Sequence, residues 1–314
     1  MSSEGESRFH MVDVSSLTSV HHGDPCDGPR RVMLRTDDGV RIEAVYEPST
    51  ASVTDTAVTG TAVTGTAVTG TAVTGTDVAG THVTGTDAVA GTAVVVAHGF
   101  TGSADRPAVR RAARAFAERG AAVVTFSFRG HGGSGGRSTV GDREVLDLSA
   151  AVRWARELGH ARVVTVGFSM GGSVVLRHAA LERGAEGRVD AVAAVSAPAR
   201  WYYRGTAPMR RLHWVVTRPA GRLVGRYGLR TRIDRRAWDP VPLSPVEAVP
   251  LIAPVPLLIV HGDRDAYFPL DHPRTLAAAG GGAAELWLER GMGHAENAAD
   301  EELLARLGDW LTRR

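Results

Sequence analysis

Val163-Val164-Thr165-Val166-Gly167-Phe168-Ser169-Met170-Gly171-Gly172 is the stretch whose reading decides the fold. Val163 to Phe168 is an unbroken apolar run rich in β-branched residues, which predicts a strand covered on both faces. A helix is predicted from Met170 to about Arg183. Between strand and helix stands Gly-x-Ser-x-Gly. Glycines two residues before and two after the serine allow a tight turn without Cβ clashes, and the turn lifts the hydroxyl above the sheet. The helix N-terminus behind it favours developing negative charge. Serine is also a preferred N-cap, so a plain helix cap is the competing reading; the strand-to-helix setting favours a nucleophile at Ser169.

Similar signals extend in both directions. Upstream, Val32 to Thr36 and Val40 to Tyr46 are strand-like and joined by Asp37-Asp38-Gly39, a hairpin signal. Ala93 to Ala97 and Ala121 to Phe128 are apolar strands, each followed by a helical pattern, at about Pro107–Arg119 and Asp142–Leu158. Downstream, Val189 to Val195, Val255 to Val260 and Glu285 to Leu288 are further strands, and a helix closes the chain from Asp300 to Leu311. Continuous apolar strands alternating with helices predict an α/β fold with a mostly parallel sheet covered on both faces. In such sheets functional groups gather at the carboxyl ends of the strands.

A serine hydroxyl is a weak nucleophile unless a base and an orienting acid assist it. The next strand ends offer both. Leu257 to Val260 runs into His261-Gly262-Asp263-Arg264-Asp265, and Glu285 to Leu288 runs into Gly291-Met292-Gly293-His294. His294 is the candidate base, and the order serine, acid, histidine suits a hydrolase triad. Asp263 and Asp265 both remain candidates for the acid on residue pattern alone. Two backbone N–H groups complete the set as oxyanion donors: that of Met170, directly after the nucleophile, and that of Phe100, in the loop after Ala93–Ala97.

Five ordered segments carry a family resemblance: HGF at 98–100, FRGHGGS at 128–134, GFSMGG at 167–172, HGDRDAYFP at 261–269 and GMGH at 291–294. Together they resemble the α/β-hydrolase superfamily, especially its esterase and serine-aminopeptidase-like branch. The resemblance implies the α/β-hydrolase fold with a helical cap insertion, and a Ser–Asp–His triad. Its Gly-x-x-Asp-x-x-x-Pro pattern is met by Gly262, Asp265 and Pro269, which assigns the acid to Asp265, with Asp263 as runner-up. His98 is implied to support the oxyanion loop. The family often has an aspartate where Ser127 stands, a departure that questions how this loop is anchored. His131 is expected near the site, either touching substrate or at the surface.

The chain has 314 residues, but 56–85 are six tandem pentapeptides, TAVTG four times followed by TDVAG and THVTG. Their period fits neither strand nor helix, and they lack large side chains to bury, which predicts a loop enlarged by duplication. The expected organisation is a flexible arm at 1–30 and a single hydrolase domain at 31–314. That domain is interrupted by the repeat insertion (51–91) and a cap (200–250).

Net charge is +2, yet all 36 basic residues are arginine. Eleven arginines stand between Arg200 and Arg236 against one acid, Asp234, whereas the rest of the chain has 25 arginines and 33 acids. The basic character therefore belongs to the cap and does not argue for nucleic-acid binding. Arg218, Arg222 and Arg226 recur at helical spacing on one expected face. Trp201, Tyr202, Tyr203, Trp214, Tyr227 and Trp238 also fall in this segment. A solvated surface is one reading, weak contact of 200–236 with an anionic membrane a second, and selection for an acidic substrate or partner a third.

No apolar run approaches the about 18 residues of a membrane span. The first 25 residues lack the basic start and apolar core of a secretory signal, so a cytoplasmic location is expected. With one cysteine, Cys26, no intrachain disulfide is expected, and His21, His22, Asp24 and Cys26 are too crowded in a polar tail for a convincing metal site. The chemistry implied needs neither metal nor organic cofactor. The expected function is a serine hydrolase cleaving a carboxylic ester or related small acyl substrate through an acyl-enzyme. A peptidase of the aminopeptidase or acylaminoacyl type, or a thioesterase, would use the same residues. A ligand-binding receptor on the same scaffold is the non-enzymatic alternative.

Overall fold

The computed structural model describes residues 29–49, 91–182, 184 and 186–313. The N-terminal arm with its His21, His22, Asp24 and Cys26 cluster, and nearly all of the repeat insertion, lie outside the described residues. Eight strands follow the chain as β1 (Arg30–Arg35), β2 (Arg41–Glu47), β3 (Thr92–Ala97), β4 (Ala122–Phe126), β5 (Arg162–Phe168), β6 (Ala191–Val195), β7 (Leu257–Gly262) and β8 (Ala284–Glu289). They form one sheet in the order β1-β2-β4-β3-β5-β6-β7-β8. The β1–β2 and β2–β4 pairs are antiparallel, and the other five are parallel.

The helices are α1 (Pro107–Ala117), α2 (Glu144–Glu157), α3 (Met170–Leu181), α4 (Ala207–Thr217), α5 (Pro219–Tyr227), α6 (Pro245–Ala248), α7 (Asp271–Ala279), α8 (Ala295–Ala298) and α9 (Glu301–Thr312). Strand alternation splits the core into two layers. Ala93, Val95 and Ala97 of β3 face the layer of α2 and α3, with Leu148, Val152, Val174 and Val175. Val94 and Val96 face the opposite layer, with Val109 and Phe116 of α1 and Leu303, Leu304 and Leu307 of α9. All five β-strand residues from Ala93 to Ala97 are fully buried, which explains why this strand reads as a continuous apolar run.

The expected elements between Val32 and Leu311 are present, with ends displaced by a few residues. Helices α4, α6, α7 and α8 escaped the sequence reading. Helix α7 is short and rich in alanine, with His272, Pro273 and Leu276 as its buried face. Helix α4 is amphipathic but buries only Met209. One expectation is corrected: Arg218 precedes α5 in extended conformation, so only Arg222 and Arg226 share the helix.

The antiparallel pairing of β2 with β4 sets Glu47 opposite Val123, near the start of β4, and Thr92 begins β3 beside Arg162 at the start of β5. Both anchors of the intervening segment therefore stand at the end of the sheet remote from Ser169, which follows the last residue of β5.

Candidate active site

Ser169 sits between β5 and α3 with φ 53° and ψ −112°. A non-glycine residue held there costs about 1–3 kcal/mol and persists only where its surroundings enforce it. The enforcement is visible in the flanking glycines. A Cβ at Gly167 would overlap the Gly171 carbonyl, and a Cβ at Gly171 would overlap the Ala97 carbonyl. The Ser169 N–H bonds to the Val195 carbonyl at 2.9 Å, tying the turn to the neighbouring strand.

Three strand ends bring their residues together around this hydroxyl. Ser169 Oγ is 2.9 Å from His294 Nε2, and His294 Nδ1 is 2.7 Å from Asp265 Oδ2. The carboxylate can only accept, so Nδ1 carries the proton and Nε2 is left to accept the serine O–H. Asp265 Oδ1 accepts the N–H groups of Tyr267 and Phe268 at 2.8 and 3.1 Å. Burial alone would raise the Asp265 pKa. The bond and charge of His294, with the two backbone N–H groups, outweigh it and hold the carboxyl below its ordinary value. Tyr267 stacks on the His294 ring at 4.2 Å, and Phe268 meets it edge-on at 5.6 Å. Asp263, the runner-up for the acid, is exposed and accepts the Gly291 N–H at 2.6 Å, so it shapes the loop that carries His294.

The loop after β3 is pinned from three sides. His98 Nε2 accepts the Phe128 N–H at 3.0 Å, which leaves the proton on Nδ1 to bond the Gly99 carbonyl at 2.6 Å. Burial, and then the neighbouring His131, push the His98 pKa well below the usual imidazole value, consistent with this neutral tautomer. The Gly102 N–H bonds the same carbonyl at 2.9 Å. The Gly99 carbonyl and the Phe100 N–H share one planar trans peptide, so fixing the first aims the second in the opposite direction. Gly99 lies against Ser169: a Cβ there would be 3.5 Å from Ser169 Cβ. Met170 opens α3, where its N–H is among the four with no acceptor inside the helix.

His131 differs from both expectations for it. It is 1% exposed, and its ring nitrogens face the carbonyls of Arg129 and Phe100, so it braces the loop after β3. The loop containing it is anchored despite the missing aspartate. Ser127 Oγ accepts the Ala104 N–H at 3.1 Å and meets Glu43 Oε2 at 3.3 Å, and Glu43 Oε2 takes the Gly133 N–H at 3.1 Å. Arg129, 2% exposed, bonds Asp147 through its backbone N–H, Nε and Nη2, and Asp38 through both terminal nitrogens.

The sequence reading missed three carboxylates. Glu43 is one; Glu144 is another, accepting bonds from Ser138, Thr139 and Gly141 and so holding a loop that lines the pocket. Glu296 is the third: it is 6% exposed and its Oε1 accepts the Gly99 N–H at 3.0 Å. Its signal was an acid two residues beyond His294 in an alanine-rich stretch.

A cavity of about 390 Å³ contains Ser169 in its wall. Phe100, Val140, Met170, Trp201, Leu212 and Phe268 make it largely apolar. Much of the wall comes from the β6–β7 segment, where Trp201 and Trp238 pack at 5.1 Å. Trp201 Nε1–H and Trp238 Nε1–H bond the carbonyls of Pro242 and Thr139 at 2.9 and 2.7 Å, which orients both rings. Among the described residues, no group of three or more His, Cys, Asp or Glu side chains is placed to hold a metal ion. No helix among them is long and apolar enough to cross a membrane.

Comparison with known proteins agrees with this architecture. A family model described as alpha/beta hydrolase fold matches residues 92–218. Over 108 residues the chain is 38% identical to "Putative esterase YheT" of Escherichia coli (strain K12), which is 33% of this chain and 32% of that protein. The match thus spans about a third of that relative's length. Among solved structures, the esterase Pf2001 of Pyrococcus furiosus superposes with a TM-score of 0.61 at 21% identity, covering 90% of this chain and 91% of the other. The alpha/beta hydrolase GrgF from Penicillium sp. sh18 gives 0.60 at 18% identity, covering 90% and 97%. The sheet order, the family-model match and these neighbours agree that the chain has the α/β-hydrolase fold.

Proposed function

We propose that this protein is a serine hydrolase that cleaves carboxylic esters of small molecules in two steps. Ser169 Oγ attacks the ester carbonyl while His294 Nε2 takes its proton. The resulting oxyanion is held by the N–H groups of Phe100 and Met170, and losing either donor costs about 3 kcal/mol of transition-state stabilisation. His294 returns the proton to the leaving alcohol, and the acyl group stays on Ser169. Water, deprotonated by the same imidazole, then attacks the acyl-enzyme and releases the acid. Asp265 fixes the ring tautomer and stabilises its cation. The observation that carries this reading is the Ser169–His294–Asp265 hydrogen-bonded chain in the wall of an apolar cavity.

The β6–β7 segment acts in this reading as a cap that supplies apolar walls and excludes water. A fluorophosphonate probe should label Ser169, and Ser169→Ala should lose both labelling and hydrolysis of p-nitrophenyl esters. Full activity in that variant would end the proposal. A panel of ester, thioester and aminoacyl substrates separates the esterase from a thioesterase or peptidase using the same groups.

The outer surface of the cap favours a second property. Trp214, Leu223 and Tyr227 are exposed there among Arg210, Arg211 and Arg226. An apolar and cationic face of this kind suits weak contact with anionic lipid. Cosedimentation with phosphatidylserine vesicles that is absent even at low salt would remove this reading.

A further inference from the structure

Arginines differ in their surroundings across the molecule. Among the described residues, nine outside the β6–β7 segment, including Arg31, Arg110, Arg129 and Arg156, are seen to form ion pairs with Asp or Glu. Of the eleven between Arg200 and Arg236, Arg200 alone does so among the described residues, with Asp271. Several of the unpaired ones line the cavity that contains Ser169. Arg222 is committed to the Val216 and Thr217 carbonyls. Arg204, Arg235 and Arg236 are exposed, border the cavity and have no carboxylate within ion-pair distance among the described residues.

These three belong to two segments that pack on one another. The Trp238 ring packs at a tilt against Trp201 at 5.1 Å and Tyr202 at 5.5 Å, bringing the chain just after Arg236 beside the chain just before Arg204. Asp234 is the one carboxylate in the cavity wall. The charge of Arg204 also reaches inward: it adds to burial in lowering the pKa of His213, another wall residue. Guanidinium groups without partners, gathered at one rim above an apolar interior, raise the local concentration of anions and can grip carboxylate or phosphate oxygens in pairs.

We propose that the cavity selects esters carrying an anionic group, a carboxylate or a phosphate, with the apolar part of the substrate inside and the anion at Arg204, Arg235 and Arg236. The proposal rests on the hydrolase reading and adds the substrate class to it.

Two matched substrate pairs test it on the full chain. One pair is p-nitrophenyl hexanoate and the mono-p-nitrophenyl ester of adipic acid; the other is monohexanoylglycerol and its 3-phosphate. The anionic member should show at least about tenfold higher kcat/KM at 50 mM NaCl, with the ratio shrinking at 500 mM as the charges are screened. In a triple Arg204→Gln, Arg235→Gln, Arg236→Gln variant the ratio should fall toward one. The salt series on the unaltered protein decides the matter independently of how that variant folds. Preference within the first pair alone identifies a carboxylate, within the second a phosphate, and within both a general anion site. Equal turnover of both members of each pair, or a preference that survives high salt and the triple variant, overturns the proposal while leaving ester hydrolysis intact. Turnover of none of the four removes ester hydrolysis, and the anion preference with it.

Discussion

Glu296 Oε1 accepts the backbone N–H of Gly99 at 3.0 Å, joining residues 197 positions apart in the chain. The bond links the loop that presents His294 to the loop that presents the Phe100 N–H, so the two groups share one support. Glu296→Ala should lower kcat for an ester substrate by about ten- to a hundredfold with little change in KM, because the donor loses its aim rather than its existence. Glu296→Gln keeps an acceptor oxygen and should recover most of the loss. Steady-state kinetics on the two variants check this, and equal activity in both would show that the bond has no part in positioning.

Asp263 and Asp265 are separated by one residue yet have different partners. Asp265→Asn should reduce kcat by about 10³–10⁴-fold, since the amide cannot hold the same tautomer of His294. Asp263→Asn should cost far less, as only its bond to the Gly291 N–H is weakened. A pH–rate profile for both variants separates loss of chemistry from loop displacement.

Ser127 occupies a fully buried position beside Glu43. Ser127→Asp would restore the residue the family often has, but here it would set a second carboxylate against Glu43 Oε2. It should lower stability by about 2 kcal/mol or more, read from the urea midpoint. Combining it with Glu43→Gln should recover part of that loss.

Asp38 supplies an acid-sensitive tie to the same region. Partial burial would raise its pKa, but the bonds to Arg129 and Thr36 prevail and bring it to about 2, against an ordinary 3.8. The unfolded chain therefore takes up this proton first as pH falls. The stabilisation is complete above about pH 4 and is lost as pH drops toward 2; solvent screening of this exposed carboxylate keeps it to about 1 kcal/mol or less. Asp38→Asn should lose stability at neutral pH and show a flatter dependence between pH 5 and 2, measured by thermal melts across that range.

The central strands were legible because burial on both faces leaves a continuous apolar run, as in Ala93–Ala97, and the turn at Ser169 was legible because its glycines are forced by backbone contact. Strand ends also pointed to His294. The choice between Asp263 and Asp265 was not available from spacing, since the turn after β7 breaks the alternation that would have placed them alike. Glu43, Glu144 and Glu296 were hidden for a related reason. Glu43 and Glu296 act on backbone N–H groups of loops distant in sequence, Glu144 on the loop just before its own helix, and a carboxylate spent on main chain leaves no motif. Helix α4 was obscured because it buries only Met209.

The anchors at Glu47 and Thr92 carry an implication for how this chain can change over time. Pentapeptide copies added or removed between them enter and leave at the far end of the sheet from Ser169. The strand ends that carry Ser169, Asp265 and His294 are therefore at the opposite end of the sheet from both anchors. A variant with one pentapeptide removed is therefore expected to keep the esterase activity of the full chain under the proposed function, measured side by side on one p-nitrophenyl ester.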